Sequence, residues 1–180
     1  MDRRQRKTRQ AIYEAFESLM KEEHYSQVTV AQIIKRADIG RSTFYDHFET
    51  KDDLLAQMCS EMFDHIFEGV NEQCKTHSDL EVHGLEGLLA HLLYHLRDTH
   101  GEVCGKLLKE GEPCFTDYFS RRLSDLFERK MPDVDGEIPH DLAIEMLTSS
   151  FCRAMVWWFD NDTKCSPEEL AHWFMLFVEP

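Results

Sequence analysis

The sequence predicts an all-α protein in two parts, and three observations predict it. Apolar residues recur at helical spacing in one segment after another. Helix start and stop signals punctuate those segments, among them Thr29, Gly40, Thr50 and Ser166-Pro167. The charge is also segregated: of a net −14, residues 1–55 contribute nothing and residues 56–180 contribute all of it. At 180 residues and 42% hydrophobic content, the chain can bury one or two small cores.

Residues 1–9, MDRRQRKTR, read as a mobile basic arm, either touching phosphates or lying along a minor groove, or simply solvated. From Thr8 to about His24 the stripe Ile12, Ala15/Phe16 and Leu19/Met20 predicts a first helix. Thr29 can cap a second helix, whose apolar face is Val30, Ile33, Ile34 and Ala37. Asp38-Ile39-Gly40 breaks the pattern, with Gly40 as the residue that permits positive φ. The next segment, Arg41 to Phe48, buries Phe44 and Phe48 and leaves Arg41, Ser42, Thr43, Tyr45 and His47 facing outward. Thr50-Lys51-Asp52-Asp53 is a capping box that opens a fourth helix, expected to run to about Cys74.

Two short helices joined by a tight turn fit a DNA-binding helix-turn-helix, although an ordinary helical hairpin shares the periodicity. The outward residue types are suited to DNA. Arg41, Ser42 and Thr43 are candidates for base contacts, and Thr29, Tyr45, His47 and Lys51 for phosphates.

Beyond this head, Lys75 to Val82 reads as a loop, and Leu85, Leu88, Leu89, Leu92 and Leu96 mark a helix to about Asp98, ended by Thr99-His100-Gly101. A short helix is expected at Glu102–Lys109, another from Phe115 to before Pro132, then an acidic loop to Pro139. The last two helices, His140 to about Asp160 and one starting at Ser166-Pro167, are aromatic-rich and too apolar for a terminal hairpin in water. Association of an exposed aromatic face explains them, with burial inside one chain as the alternative.

His91, His95, His100 and Cys104 form a metal-like cluster, with His91 and His95 at i, i+4 on one helical face. No second paired motif supports it, and the expectation is that these histidines line or rim a pocket; no metal or other cofactor is expected. Gly101 to Leu107 falls short of a phosphate loop by spacing, and no H-E-x-x-H or G-x-S-x-G is present, so an enzyme is not expected. The six cysteines include no C-x-x-C and read as reduced, mostly core residues of a cytoplasmic protein. The basic start lacks the apolar run of a secretory signal, and Ala154 to Phe159 is too short to span a membrane, so no membrane partner is expected.

The run IGRSTFYDHFETKDDLL resembles the N-terminal signature of TetR-family transcriptional regulators, through Thr43, Phe44, Tyr45, Phe48, Lys51, Leu54 and Leu55, over about residues 8–58. SSFCRAMVWWFDNDTKCSPEELA resembles the region through which that family dimerises as a four-helix bundle. The resemblance implies an N-terminal three-helix bundle with a helix-turn-helix over residues 1–49, and a helical ligand-binding and dimerisation domain over 50–180. It further implies a homodimeric repressor, joined through its last two helices, that a small-molecule effector releases from a palindromic double-stranded DNA operator. Pocket candidates on this reading are Met62, Phe63, Phe67, His91, Leu92, His95, Phe115, Tyr118, Phe119, Phe151 and Met155. The alternatives are control by a protein partner, no ligand response at all, or a metal response through His91 and His95.

Overall fold

A computed structural model describes residues 3–67, 74, 82–98, 101–131 and 138–178. It divides into two compact units, Met1–Ser60 and Glu61–Pro180. The described residues are helical, with no strand among them.

In the first unit α1 spans Arg3–Glu22, a 3-10 turn spans Tyr25–Gln27, and α2 (Val30–Arg36), α3 (Arg41–Tyr45) and the start of α4 (Lys51–Phe67) follow. The expected arm is therefore corrected: the basic run is already helix from Arg3. Arg, Gln and Lys are good helix formers, and Arg9 is tied down. Its guanidinium donates to Gln57 Oε1 at 2.9 Å and to Tyr13 Oη at 2.6 Å, and lies 4.9 Å from the centre of the Phe48 ring. Ile12, Phe16 and Met20 of α1 are fully buried, together with Ile33, Phe44, Leu54 and Leu55. These are the stripe residues that the spacing marks as core.

The turn between α2 and α3 differs from expectation. Asp38, not Gly40, takes the left-handed conformation, with φ of 52°. The Ile39 N–H donates to Ile34 O and the Asp38 N–H to Lys35 O, which closes α2 in a Schellman motif. Gly40 is the extended N-cap of α3, with φ of −74°. A Cβ there would lie 3.5 Å from Thr43 Oγ1, an ordinary contact.

The second unit holds the end of α4 and then α5 (Gly84–Asp98), α6 (Gly101–Glu110), α7 (Pro113–Lys130), α8 (His140–Asp160) and α9 (Pro167–Val178). The expected run of α4 beyond Phe67, the loop 75–81, the stop at residues 99–100 and most of the acidic loop, residues 132–137, lie outside the described residues. In this unit α5 packs on α6 and α9, α7 on α8, and α6 on α7 and α8. The α8–α9 turn uses Asp162 and Thr163 at positive φ, and the Trp158 Nε1–H donates to Cys165 O at 2.8 Å. Ser166 and Glu169 then form a reciprocal cap: the Glu169 N–H donates to Ser166 Oγ at 3.1 Å and the Ser166 N–H to Glu169 Oε2 at 2.7 Å.

Gly105 is the glycine that packing requires. A Cβ on it would sit 2.7 Å from Phe159 Cδ1 of α8. Gly105→Ala is expected to lower stability in urea titration, because overpacking costs about 1–3 kcal/mol, against at most about 1 kcal/mol of helix propensity gained. Adding Phe159→Leu should recover part of the loss. Gly40→Ala, at an unstrained cap, should leave stability within about 1 kcal/mol of the parent.

Candidate nucleic-acid interface

The exposed face of α3 is built from beneath. Phe44 and Phe48 are buried, with ring centroids 5.8 Å apart, and Tyr13 of α1 lies 5.7 Å from Phe48. With those rings inward, Arg41, Ser42 and Tyr45 face solvent, and Thr43 and His47 are half-buried. Tyr45 is 47% exposed, enough for its hydroxyl to reach a partner, and the Arg41 guanidinium lies 5.8 Å from its ring.

Thr29 and α2 are held by a second set of contacts. The Gln32 N–H donates to Thr29 Oγ1 at 3.3 Å, and the Thr29 N–H donates to Gln32 Oε1 at 2.7 Å. The Gln32 amide continues to the Glu23 carboxylate at 3.0 and 3.1 Å, which ties α2 to the end of α1. Arg36 adds a bidentate pair with Glu22 at 2.8 and 2.9 Å. That hydrogen bond holds the Glu22 carboxyl below its ordinary range. The pair is solvent-exposed, so it orients more than it stabilises.

Lys51 is placed differently from the other candidates. Its ammonium donates to Tyr25 O at 2.6 Å and Val28 O at 3.0 Å and lies 4.2 Å from the centre of the Tyr25 ring. Tyr25 Oη in turn donates to Asp52 Oδ1. Any phosphate at Lys51 would compete with two carbonyls. Nothing in the local spacing signals this, because the partners are 26 and 23 residues away.

In the second unit the pocket candidates fall into two groups. Phe63 and Phe67 of α4, His91, Leu92 and His95 of α5, and Phe115 and Phe119 of α7 are all buried. Phe119 centres on Phe115, Phe63 and Phe67 at 4.8, 5.1 and 6.1 Å. Met62 and Tyr118 are half-buried beside them. Phe151 and Met155 are buried on α8 instead, with the Phe151 ring edge-on to Phe127 and Phe174. The sequence reading missed Asp64, which accepts from Tyr118 Oη at 3.0 Å and pairs with Arg122 at 2.9 Å on the flank of the first group. The metal-like cluster also changes. Cys104 is buried but is not one of the clustered donors, and His100 lies outside the described residues, while Cys74 joins His91 and His95.

The last two helices carry two apolar faces. Ile144, Phe151, Met155, Trp158, Leu170 and Phe174 point inward and are buried. Leu142, Met146, Trp157, Trp173, Leu176 and Phe177 are exposed, Phe177 by 72%. Between the helices lies an open groove of about 650 Å³, lined in part by Arg153, Trp157, Trp173 and Phe177. No helix among the described residues is long and apolar enough to cross a membrane.

A helix-turn-helix that presents a polar second helix on a buried aromatic base defines a DNA-binding regulator. Residues 12–58 match the family described as bacterial regulatory proteins, tetR family, and residues 85–179 match a transcriptional regulator C-terminal region. The crystal structure of a TetR transcriptional regulator from Streptococcus agalactiae 2603V is 33% identical, with a TM-score of 0.80, covering 99% of this chain and 97% of that one. The chain belongs to the TetR family of transcriptional regulators, a family of DNA-binding proteins that are generally not enzymes. The HTH-type transcriptional regulator YxbF of Bacillus subtilis (strain 168) is 26% identical over 185 residues, 99% of this chain and 46% of that protein. The dhaKLM operon transcriptional activator DhaS of Lactococcus lactis subsp. lactis (strain IL1403) is 39% identical over 49 residues, 27% of this chain and 26% of that protein. The chain thus spans about half or less of the length of these curated relatives.

Lys51→Met tests whether the ammonium is part of the frame. Leaving two carbonyls without their charged donor is expected to cost about 1–3 kcal/mol, read as a lower urea midpoint for the DNA-binding unit. An unchanged midpoint with a flatter salt dependence of DNA binding would instead make Lys51 a phosphate contact.

Proposed function

We propose that this chain is a homodimeric repressor of TetR type that a small molecule releases from a palindromic operator. The observation that carries the DNA part is the outward set on α3, held over Phe44 and Phe48. In the complex, α3 of each copy enters successive major grooves about 34–36 Å apart. Arg41, Ser42 and Thr43 read base edges there. Tyr45 and His47 hold phosphates, and so do the backbone N–H groups at the start of α2, next to Thr29. Lys51 supports them from the frame and is at most a secondary phosphate contact.

The dimer reading rests on the outward apolar face of α8 and α9. Six large apolar side chains left in water are costly, and a second copy of the same face covers them. The effector reading rests on the family and on the aromatic group of α4, α5 and α7. Phe63, Phe119 and Tyr118 are the side chains we would expect a ligand to displace or touch. It works only if the ligand binds more tightly to the form that does not hold DNA. The activator named among the relatives makes the sign of regulation worth testing directly: deletion of the gene should raise transcripts of its targets, and a fall would make it an activator.

Two measurements test the binding surfaces. Duplexes selected by the protein from a random pool should bind Arg41→Ala more weakly by about 1–3 kcal/mol, roughly 5- to 150-fold, with discrimination lost at a single base position. Tyr45→Phe should weaken all duplexes alike. Separately, Trp173→Glu combined with Phe177→Glu should convert a dimer to a monomer by sedimentation and lower affinity for a two-half-site duplex far more than for a single half-site. A double variant that still sediments as a dimer would move the interface elsewhere.

A further inference from the structure

We infer that Cys74, His91 and His95 form a binding site for a zinc-class transition-metal ion, Zn(II) or Cu(I). This goes beyond the regulator reading and does not rest on it. The donor atoms of these three residues all lie within 4.8 Å of one another. Cys74 Sγ and His95 Nε2 are 3.1 Å apart, and the two imidazoles are one helical turn apart on α5, with ring centroids separated by 4.9 Å. In a tetrahedral site with zinc–nitrogen bonds of about 2.0–2.1 Å and a zinc–sulfur bond of about 2.3 Å, donor atoms stand roughly 3.3–3.7 Å apart. The cluster is within about 1.5 Å of that spacing, a change that side-chain rotation can supply.

The surroundings favour the same chemistry. His91 and His95 are 5% and 4% exposed on a helix that otherwise buries Leu88, Leu89, Leu92, Leu93 and Leu96. Two imidazoles in such a place carry a desolvation cost that a purely apolar face would not. Cys74 is half-buried, so an ion has a route from solvent on the thiol side. One thiolate with two imidazoles is a borderline-to-soft set, which suits zinc and copper and discriminates against calcium and magnesium. Among the described residues three protein donors converge, which in a tetrahedral site leaves one position for a water or a further ligand. The His95 ring also stands edge-on to Phe63 at 6.3 Å, so an ion here would be one side chain removed from α4.

The test uses the full chain, stripped with a chelator and kept reduced with a phosphine. Titration with Co(II) is expected to give one ion per chain, visible bands of tetrahedral type and a thiolate-to-cobalt charge-transfer band, all displaced by Zn(II). Competition against chelators selective for each ion distinguishes Zn(II) from Cu(I). Cys74→Ser should abolish the charge-transfer band and weaken Zn(II) by roughly 100-fold or more, since loss of a ligand exceeds the 10- to 100-fold effect of an outer partner. Its circular dichroism should match the parent, and Cys165→Ser should keep the band. Histidine substitutions at 91 and 95 sit in the core, so the half-buried Cys74 variant carries the decision. A band that persists in Cys74→Ser, or Zn(II) binding no tighter in the parent than in that variant, overturns the assignment.

Discussion

The burial of Phe44 and Phe48 is the constraint on which the proposed DNA-facing surface depends. α3 spans only Arg41–Tyr45, far too short to hold together by its own hydrogen bonds. It is a helix because Phe44 on its inner side and Phe48 just past its end leave water, each worth about 1.5–3 kcal/mol, and because Gly40 O and Ser42 O receive the N–H groups of Phe44 and Asp46. The outer residues are therefore displayed by a frame that owes them nothing, and their identities are free to follow whatever partner they meet. The same frame needs α1 and the 3-10 turn in place. Tyr13 backs Phe48, and the Lys51 ammonium closes the carbonyl ends of the turn that leads into α2.

In the second unit the governing fact is that α8 and α9 are apolar on two sides. The inner side completes the unit's own core, where the rings of Phe127, Phe151 and Phe174 meet edge-on or tilted and the Trp158 indole N–H donates to Cys165 O. The outer side is not needed for that core. A spare apolar face on an all-helical unit is costly in water, and the proposed dimer rests on that cost as well as on family membership.

Much of this was legible in the residues. The spacing of Phe44 and Phe48, the bounds of α8 and the Ser166-Pro167-Glu169 helix start all depend on near neighbours in the chain, and local spacing records such things well. What was not legible depends on distance or on handedness. Spacing locates a turn at residues 38–40 but does not say which of them crosses to positive φ, and the eye goes to glycine when Asp38 does it. Lys51 looks like a surface cation until Tyr25 O and Val28 O are brought beneath it. Cys74 stands 21 residues from His95, with no motif to join them. Helical periodicity groups Trp158 with Phe151 and Met155 on the inward face of α8, yet at Trp173 and Phe174 it does not say which ring turns in, and it is Phe174 that does.

The exposed aromatic face also gives the acidic charge of residues 56–180 a colloidal meaning. A surface bearing Trp157, Trp173 and Phe177 attracts every copy of itself in any orientation, and the net −14 opposes that attraction at long range. An approach that buries the apolar face has the most to gain at short range against that repulsion. In the proposed dimer the charge would act as a filter on encounter geometry, favouring the registered pairing over disordered ones. Near the sequence isoelectric point of about 5.1 that filter vanishes while the aromatic face remains.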